Sequence, residues 1–181
     1  MIAYKGFERG LICRGYQFMM GKNITRQANC MKDGFHCAEN PLDCLQYYPD
    51  MTKSVYCIVD AGGDMDEDDI DSKIACTELT ILKQITKKEF FLHALAYMAD
   101  HPLRPWHTSV KKDRAAASGG FAIARGADPV ACGAKGDILA FAKEDGKTGR
   151  VIRIALTAVD GRQIRPGIWY DTDFNERGST K

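Results

Sequence analysis

The sequence contains no long apolar run and no excess of charge of either sign. No stretch of about 18 consecutive apolar residues occurs, which argues against a membrane-spanning helix. The first ten residues, "MIAYKGFERG", lack the apolar core of a signal peptide. Lys and Arg number 25 against 24 Asp and Glu, so no overall basic field attracts nucleic acid. These absences predict a soluble, cytoplasmic protein without membrane contact.

A closely spaced cysteine pair is also absent. The chain has seven cysteines, an odd number, and none of them forms a CxxC motif. This pattern predicts reduced thiols that act mostly as small hydrophobic side chains, with no disulfide framework. Cys30, His36, Cys37 and Cys44 are close in sequence but match no zinc spacing, so we expect no metal site.

Short strands and two helices are predicted for the first half of the chain. Residues 2–7 and 11–19 suit a hairpin, and residues 54–61, "SVYCIVDA", suit a strand because they are rich in β-branched and aromatic residues. Asn40 followed by Pro41 is typical of a helix start, which predicts a helix over residues 41–48. A second helix is predicted from the Thr86–Glu89 capping box to Pro102.

The second half has an internal repeat. Residues 115–135 divide into three units of seven, "AAASGGF AIARGAD PVACGAK", with Ala117, Ala124 and Ala131 in register. Small residues in a fixed slot suit a narrow β-solenoid, and ordinary hairpins are the alternative. The chain is long enough for one core and a small satellite. We therefore predict an α+β protein: a mixed N-terminal α/β domain with two main helices over residues 1–108, then a short β-rich (solenoid-like or hairpin) module over 109–181.

The sharpest charge feature is an acidic run after the strand at 54–61. Its members are Asp64, Asp66, Glu67, Asp68, Asp69 and Asp71. A calcium loop is disfavoured, because Asp69 stands where that loop needs glycine and Ala75 stands where it needs glutamate. A solvated loop held extended by charge repulsion is the common outcome for such runs. The alternative is a phosphate mimic that binds the basic groove of a nucleic-acid enzyme.

A local basic patch near the end of the chain is a second candidate binding face. It comprises Arg150, Arg153, Arg162 and Arg165. Trp169 and Tyr170 are near in sequence, and cations mixed with aromatic rings suit nucleic acid or an acidic protein surface. The alternative is an ordinary surface with internal ion pairs.

Several motifs carry a resemblance to a known family. They are "YKGF", "CRGYQF", "GFHCAENPLDCLQYYP" and "SVYCIVDAGGD", with Ile164, Pro166, Trp169 and Tyr170 at the end of the chain. Together with the seven-residue repeats they resemble a phage and prophage protein family of unassigned function. No catalytic residues are established for that family.

The chain also looks like an anti-CRISPR member of this family. That resemblance implies a counter-defence protein in the host cytoplasm, a stoichiometric inhibitor of the RNA-guided DNA nuclease of type II systems. Its partner would be the host nuclease or its guide complex, with direct nucleic-acid contact as an open point. An inhibitor of this kind needs a charged complementary surface and no catalytic residue, metal or cofactor. The acidic run and the arginine patch are the two candidate faces.

An enzyme from a different class is the alternative. Tyr4, the segment "GFH" at residues 34–36 and the following helix resemble in outline the first motifs of ADP-ribosyltransferases. That resemblance implies NAD as cofactor, with Tyr4, His36 and Glu78 as the catalytic set. The chain departs from the pattern at three positions. Lys5 stands where such enzymes usually offer histidine or arginine, His36 stands where a hydroxyl or aromatic residue is common, and Cys76 stands where a second acid or glutamine is expected.

A cysteine nucleophile next to His36 is the last chemical alternative for this segment. Cys37 and Cys30 are the available thiols, but adjacent residues on a strand point to opposite faces. No orienting Asn or Asp is identified. We expect instead that His36 and Glu39 fix the turn and cap the short helix.

Overall fold

A computed structural model describes residues 1–30, 32–67 and 72–178. The protein is mostly β, with 50% of the described residues in strands and 12% in helices. The predicted α+β class with two main helices is therefore wrong. The segment predicted as the first helix is a 3₁₀ turn, Pro41–Asp43, followed by a single α-helical turn, α1, Cys44–Tyr47. The signals at Asn40 and Pro41 start a helix, but Pro49 leaves it no room to extend.

The chain forms two compact units, Met1–Thr86 and Lys87–Lys181, and each is described by itself. The division into domains 1–108 and 109–181 stays a prediction. No helix among the described residues has both the length and the apolar character needed to cross a membrane.

The first unit is one antiparallel sheet that closes on itself. Its strands are β1 Ile2–Glu8, β2 Ile12–Cys13, β3 Tyr16–Gln17, β4 Gly21–Ile24, β5 Phe35–Ala38, β6 Ser54–Glu67 and β7 Lys73–Ile85. β1 pairs with β6 and with β5, and β7 pairs with the same two strands, so four strands form a ring. Ala3 and Phe7 of β1 pack in its interior with β6 and β7 side chains such as Val59 and Leu79.

The strand predicted at residues 54–61 extends further than the sequence indicated. β6 continues to Glu67, so the first part of the acidic run is a strand and the prediction of a loop is wrong there. Pairing with β7, with Asp66 opposite Ala75, outweighs the repulsion between neighbouring carboxylates. Asp68, Asp69 and Asp71 lie outside the described residues.

The second unit combines one helix with a second sheet. Its elements are α2 Lys87–Asp100, β8 Val110–Ala116, β9 Phe121–Cys132, β10 Ile138–Glu144, β11 Val151–Ala158, β12 Trp169–Tyr170 and β13 Glu176–Arg177. The helix predicted from the Thr86–Glu89 box is confirmed, and its apolar face, which includes Phe90 and Phe91, is buried.

Most of the repeat segment, residues 115–135, forms one long strand, β9, and the three seven-residue units are not three separate rungs. β9 pairs in parallel with β8 on one side and with β10 on the other. Ala124 and Ala131 of β9 are fully buried, where their small side chains pack in the core of the second unit. β10 and β11 form the antiparallel hairpin that was the alternative for the following segment.

Candidate functional site

A cavity of about 560 Å³ opens in the first unit. Its walls are β1, β5, the start of β7, the β2–β3 hairpin, residues between β4 and β5, and α1 with its preceding turn. A volume of this size falls in the range of small-molecule sites. The cavity therefore defines the candidate site, and the "GFHCAENPLDCLQYYP" segment supplies a large part of its walls.

Alternation along β1 gives the strand two chemically different faces. Ala3, Lys5 and Phe7 are buried, and Ala3 and Phe7 belong to the ring interior. On the other face, a Cβ at Gly6 would lie 2.6 Å from the ring of Tyr48. Only glycine therefore allows Tyr48, which follows α1, to pack directly on β1.

Lys5 is a lysine within the core. Its side chain donates from Nζ to the carbonyl oxygen of His36 at 2.6 Å and to Cys13 Sγ at 3.6 Å. The ammonium also lies 5.2 Å from the Phe7 ring centroid and 5.3 Å from that of Phe18. The residue is only 4% exposed. An amine so far from bulk water needs such acceptors, because an unpaired buried charge is strongly destabilising.

Cys13 receives a second hydrogen bond from the opposite wall. The hydroxyl of Tyr48 donates to Cys13 Sγ at 3.0 Å. Burial, and then this contact, raise the pKa of Tyr48, so the phenol stays protonated and remains a donor. Lys5, Cys13 and Tyr48 thus form a connected amine–thiol–phenol cluster at the cavity wall.

His36 lies on β5 beside this cluster. Its Nε2–H donates to the carbonyl oxygen of Asn29, 3.3 Å away. Burial lowers the pKa of His36, and the positive charges of Lys5, Lys73 and Arg14 lower it further. The imidazole is thereby kept neutral. The contribution of the three charges to the lowered pKa indicates a positive electrostatic potential at His36.

Three buried thiols of the first unit, Cys37, Cys44 and Cys57, are poor nucleophiles. A hydrogen bond with Cys76, together with burial, raises the pKa of Cys37 well above its usual range. Burial raises the pKa of Cys44 to about 12 and that of Cys57 to about 11. These thiols stay protonated at neutral pH, where only the thiolate is reactive.

The cavity lining is mainly cationic and aromatic. Its cations are Lys5, Arg14, Lys32 and Lys73, and its carboxylates are Asp33 and Asp43. Asp43 is already committed, because it accepts from the Ser72 hydroxyl at 2.6 Å. Aromatic side chains complete the lining: Tyr4, Tyr16, Phe18, Phe35, Tyr47 and Tyr48. Such a lining suits a ligand that combines negative charge with a planar ring.

The structure brings together two of the three residues predicted for an NAD-using enzyme. Tyr4 and His36 both line the cavity. Glu78 is not among the lining residues, and its carboxylate pairs with Lys22 at 2.8 Å. Sequence reasoning did not identify Lys5, Cys13 and Tyr48 as a cluster. The strand alternation that buries Ala3 and Phe7 was the only signal that Lys5 points inward.

The described acidic residues lie at the end of β6 and differ in their roles. Asp66 accepts from the backbone N–H of Cys30 at 2.8 Å, so its carboxylate supports the local structure. Asp64 and Glu67 are exposed. Of the predicted acidic face, these two are therefore the described members available to a partner.

The four arginines of the predicted basic patch are all exposed, and two of them have acidic partners. Arg153 pairs with Asp173 at 2.6 Å, and Arg165 pairs with Glu176 at 2.6 Å. These contacts reduce the positive charge that the patch offers. Arg150 lies near the start of β11, and the backbone of Arg162 donates to Asp160 in the turn that follows it.

In the described part of the chain, no group of three or more His, Cys, Asp or Glu side chains is placed to hold a metal ion. The fold and cavity define a β-rich protein with a ligand-sized site in its first unit. A family model for a domain of unknown function, DUF7666, matches residues 1–93, and the chain belongs to this family. That segment includes every residue of the cavity lining. No curated protein and no solved structure matches the chain.

Proposed function

We propose that the first unit binds a small anionic molecule with a planar ring, such as a nucleotide, in the 560 Å³ cavity. The observation that carries this proposal is the lining itself. Four cationic side chains and six aromatic side chains face one cavity with only two carboxylates. A charged group would be held by the cations, and a ring would stack on the aromatic side chains.

The electrostatics of His36 support an anionic ligand. Three lysine or arginine charges lower its pKa, so the imidazole lies in a region of positive potential. A bound phosphate or carboxylate would partly cancel that potential. Binding is therefore expected to raise the pKa of His36, an effect measurable by NMR titration of its ring protons.

Calorimetric titration with ADP and with adenosine tests the proposal. The two compounds share a ring and differ in charge, so ADP is expected to bind at least about tenfold more tightly, which corresponds to about 1.4 kcal/mol. Arg14→Gln and Lys32→Gln each remove an exposed cation from the lining, and each is expected to weaken ADP binding about tenfold.

Lys53→Gln is the matched control, because Lys53 is an exposed cation of the same unit that does not line the cavity. Its ADP affinity is expected to equal that of the parent protein. Equal affinity for ADP and adenosine, or equal losses in all three variants, would contradict an anionic site in the cavity.

NAD belongs to the same ligand class, and the presence of Tyr4 and His36 in the lining favours an NAD-using transferase as a second candidate. Incubation with labelled NAD and a host lysate tests it. Label transfer that Glu78→Gln abolishes and Lys22→Gln preserves supports catalysis by Glu78. The control matters because both variants break the same Glu78–Lys22 ion pair. Equal loss in both variants would assign Glu78 a structural role.

A counter-defence role, with a phage or prophage origin, is a separate proposal supported by the exposed carboxylates of Asp64 and Glu67. Nuclease inhibition that saturates near one protein per type II nuclease is the expected result. The double variant Asp64→Asn, Glu67→Gln is expected to lose inhibition while remaining folded. Asp100→Asn removes an exposed charge elsewhere and serves as control. Unchanged potency of the double variant would remove the acidic face from the account.

A further inference from the structure

Lys5 and Cys13 are nucleophiles that face each other at the cavity wall. Lys5 Nζ lies 3.6 Å from Cys13 Sγ and donates to it. In the described part of the chain, the acceptors of this ammonium are the thiol and the His36 carbonyl rather than a carboxylate. An ion pair with an acid would hold the amine in place, whereas these weaker acceptors leave it able to react once it loses a proton.

The surroundings of the pair enclose the amine of Lys5 but leave the sulfur of Cys13 open to a small oxidant. Lys5 is buried, and the aromatic rings of Phe7 and Phe18 flank its amine. Cys13 is partly exposed and lines the cavity, so a small oxidant reaches its sulfur. The Tyr48 hydroxyl fixes the sulfur from the other side.

We infer that hydrogen peroxide converts Lys5 and Cys13 into a covalent nitrogen–oxygen–sulfur cross-link, which makes this pair a redox modification site of the first unit. The inference concerns these two side chains alone and does not depend on which ligand the cavity binds.

The chemistry balances with two equivalents of peroxide. In the first step the thiol is oxidised to a sulfenic acid, and peroxide is reduced to water. In the second step the sulfenic acid and the neutral amine lose two hydrogens to another peroxide as the N–O bond forms, which releases two waters. The sulfenic O–H proton and one amine proton leave, and the S–O bond is retained. In the product one oxygen atom lies between Lys5 Nζ and Cys13 Sγ, which are 3.6 Å apart before the reaction. Rotation about the bonds of the flexible lysine side chain brings the two atoms within bonding reach of that oxygen.

Two other thiols of the unit are enclosed and do not react in this way. Cys44 and Cys57 are buried and stay protonated.

Cys132, in the second unit, is partly exposed like Cys13 but lies beside Arg114, whose guanidinium is not a nucleophile at neutral pH. Cys132 is therefore a matched internal control for simple thiol oxidation.

Intact-mass and peptide analysis of the peroxide-treated full chain tests the inference. The expected product is heavier by about 14 Da, the mass of one oxygen less two hydrogens. Trypsin then no longer cuts after Lys5, and residues 1–9 appear joined to residues 10–14, whose thiol is Cys13. A reducing agent is expected to restore both side chains and the normal cleavage.

Three variants keep the test decisive. Cys13→Ser retains a hydroxyl that accepts from Lys5 and Tyr48, and it is expected to abolish the product while Cys132→Ser leaves it unchanged. Lys5→Arg retains the charge and is also expected to abolish it. Should Lys5→Arg fail to fold, the Cys13→Ser result still decides. Oxidation of Cys13 that adds only whole oxygens, with cleavage after Lys5 intact, overturns the inference, as does an unreactive Cys13.

Discussion

His36 and Lys5 show how burial changes the behaviour of single ionisable residues. His36 lies on β5, close to three positive charges, and is held neutral. Lys5 is almost fully buried yet keeps hydrogen-bond acceptors. The Lys5 ammonium donates to the backbone carbonyl of His36, and its charge is one of those that lower the pKa of His36.

Acid is expected to destabilise the fold through His36. Its pKa in the folded protein is below the ordinary value of about 6.5. As pH falls through and below that value, the unfolded chain takes up a proton that the folded protein resists, so the free energy of unfolding decreases. Urea unfolding measured between pH 7.5 and 5 checks this. His36→Asn is expected to show a shallower decrease over that interval. Identical pH profiles for the two proteins would contradict a depressed pKa.

Arg125 of β9 is a buried cation of the second unit, only 2% exposed. Its Nε donates to Glu144 Oε1 at 2.7 Å, Nη2 donates to the Pro102 carbonyl at 2.8 Å, and its guanidinium lies 4.7 Å from the Trp106 ring centroid. Arg125→Gln is expected to lower the free energy of unfolding by about 3 kcal/mol, because it leaves Glu144 without its partner.

The exposed Arg150 of the same unit provides the control for that change. Arg150→Gln is expected to alter the free energy of unfolding by no more than about 0.5 kcal/mol. Chemical denaturation of both variants measures the difference. A loss at Arg125 no larger than that at Arg150 would show that the buried pair contributes little.

At the scale of elements, the entry into β5 depends on one glycine. Gly34 has φ of +96°, and a Cβ there would lie 2.9 Å from Ala28 Cα and 3.0 Å from the Gln27 carbonyl oxygen. Gly34→Ala is expected to cost more than about 2 kcal/mol of stability, because backbone atoms cannot move aside as a side chain can.

Substitution of Gly10 measures the conformational cost of a side chain at positive φ without the steric cost. It also has a positive φ, +81°, but a Cβ there would have nothing within 4 Å. Gly10→Ala is therefore expected to cost only about 1 kcal/mol, the conformational part. Thermal unfolding of the two variants gives the comparison, and equal losses would mean that the close approach at Gly34 is unimportant.

The sequence predicted the position of several elements better than their extent. Asn40 does cap a helical turn, since its side chain accepts from the Leu42 N–H, and the apolar face of α2 is buried as expected. The sequence predicts that the strand at 54–61 ends at Gly62 and Gly63, but β6 continues through both glycines because it pairs with β7 as far as Glu67. Pairing partners distant in sequence cannot be deduced from local composition.

The candidate site was predictable only in part for the same reason. His36 and Tyr4 were singled out by motif, and both line the cavity. Lys5 was treated as a departure from a motif, although its burial follows from the alternation of Ala3 and Phe7 on β1. The contact with Cys13 depends on the β1–β2 hairpin, in which Glu8 pairs with Ile12, and no spacing rule indicates it.

At the scale of the whole molecule, net charge and local charge differ. The chain carries a formal net charge of +1, yet the cavity of the first unit is lined by four cations and two carboxylates. Raising the salt concentration is therefore expected to weaken ADP binding severalfold while leaving adenosine binding unchanged, because mobile ions screen the charged group alone. Calorimetry at about 0.05 M and about 0.5 M NaCl measures the salt dependence of both affinities. A salt-independent ADP affinity would contradict charge-based recognition.

The most direct measurement of the central claim is a crystal structure of the protein bound to ADP. The account predicts density for the nucleotide inside the cavity, with its phosphates near Arg14, Lys32 or Lys73 and its ring against the tyrosines of the lining. Density at another surface with an empty cavity, or no bound nucleotide at saturating concentration, would contradict it.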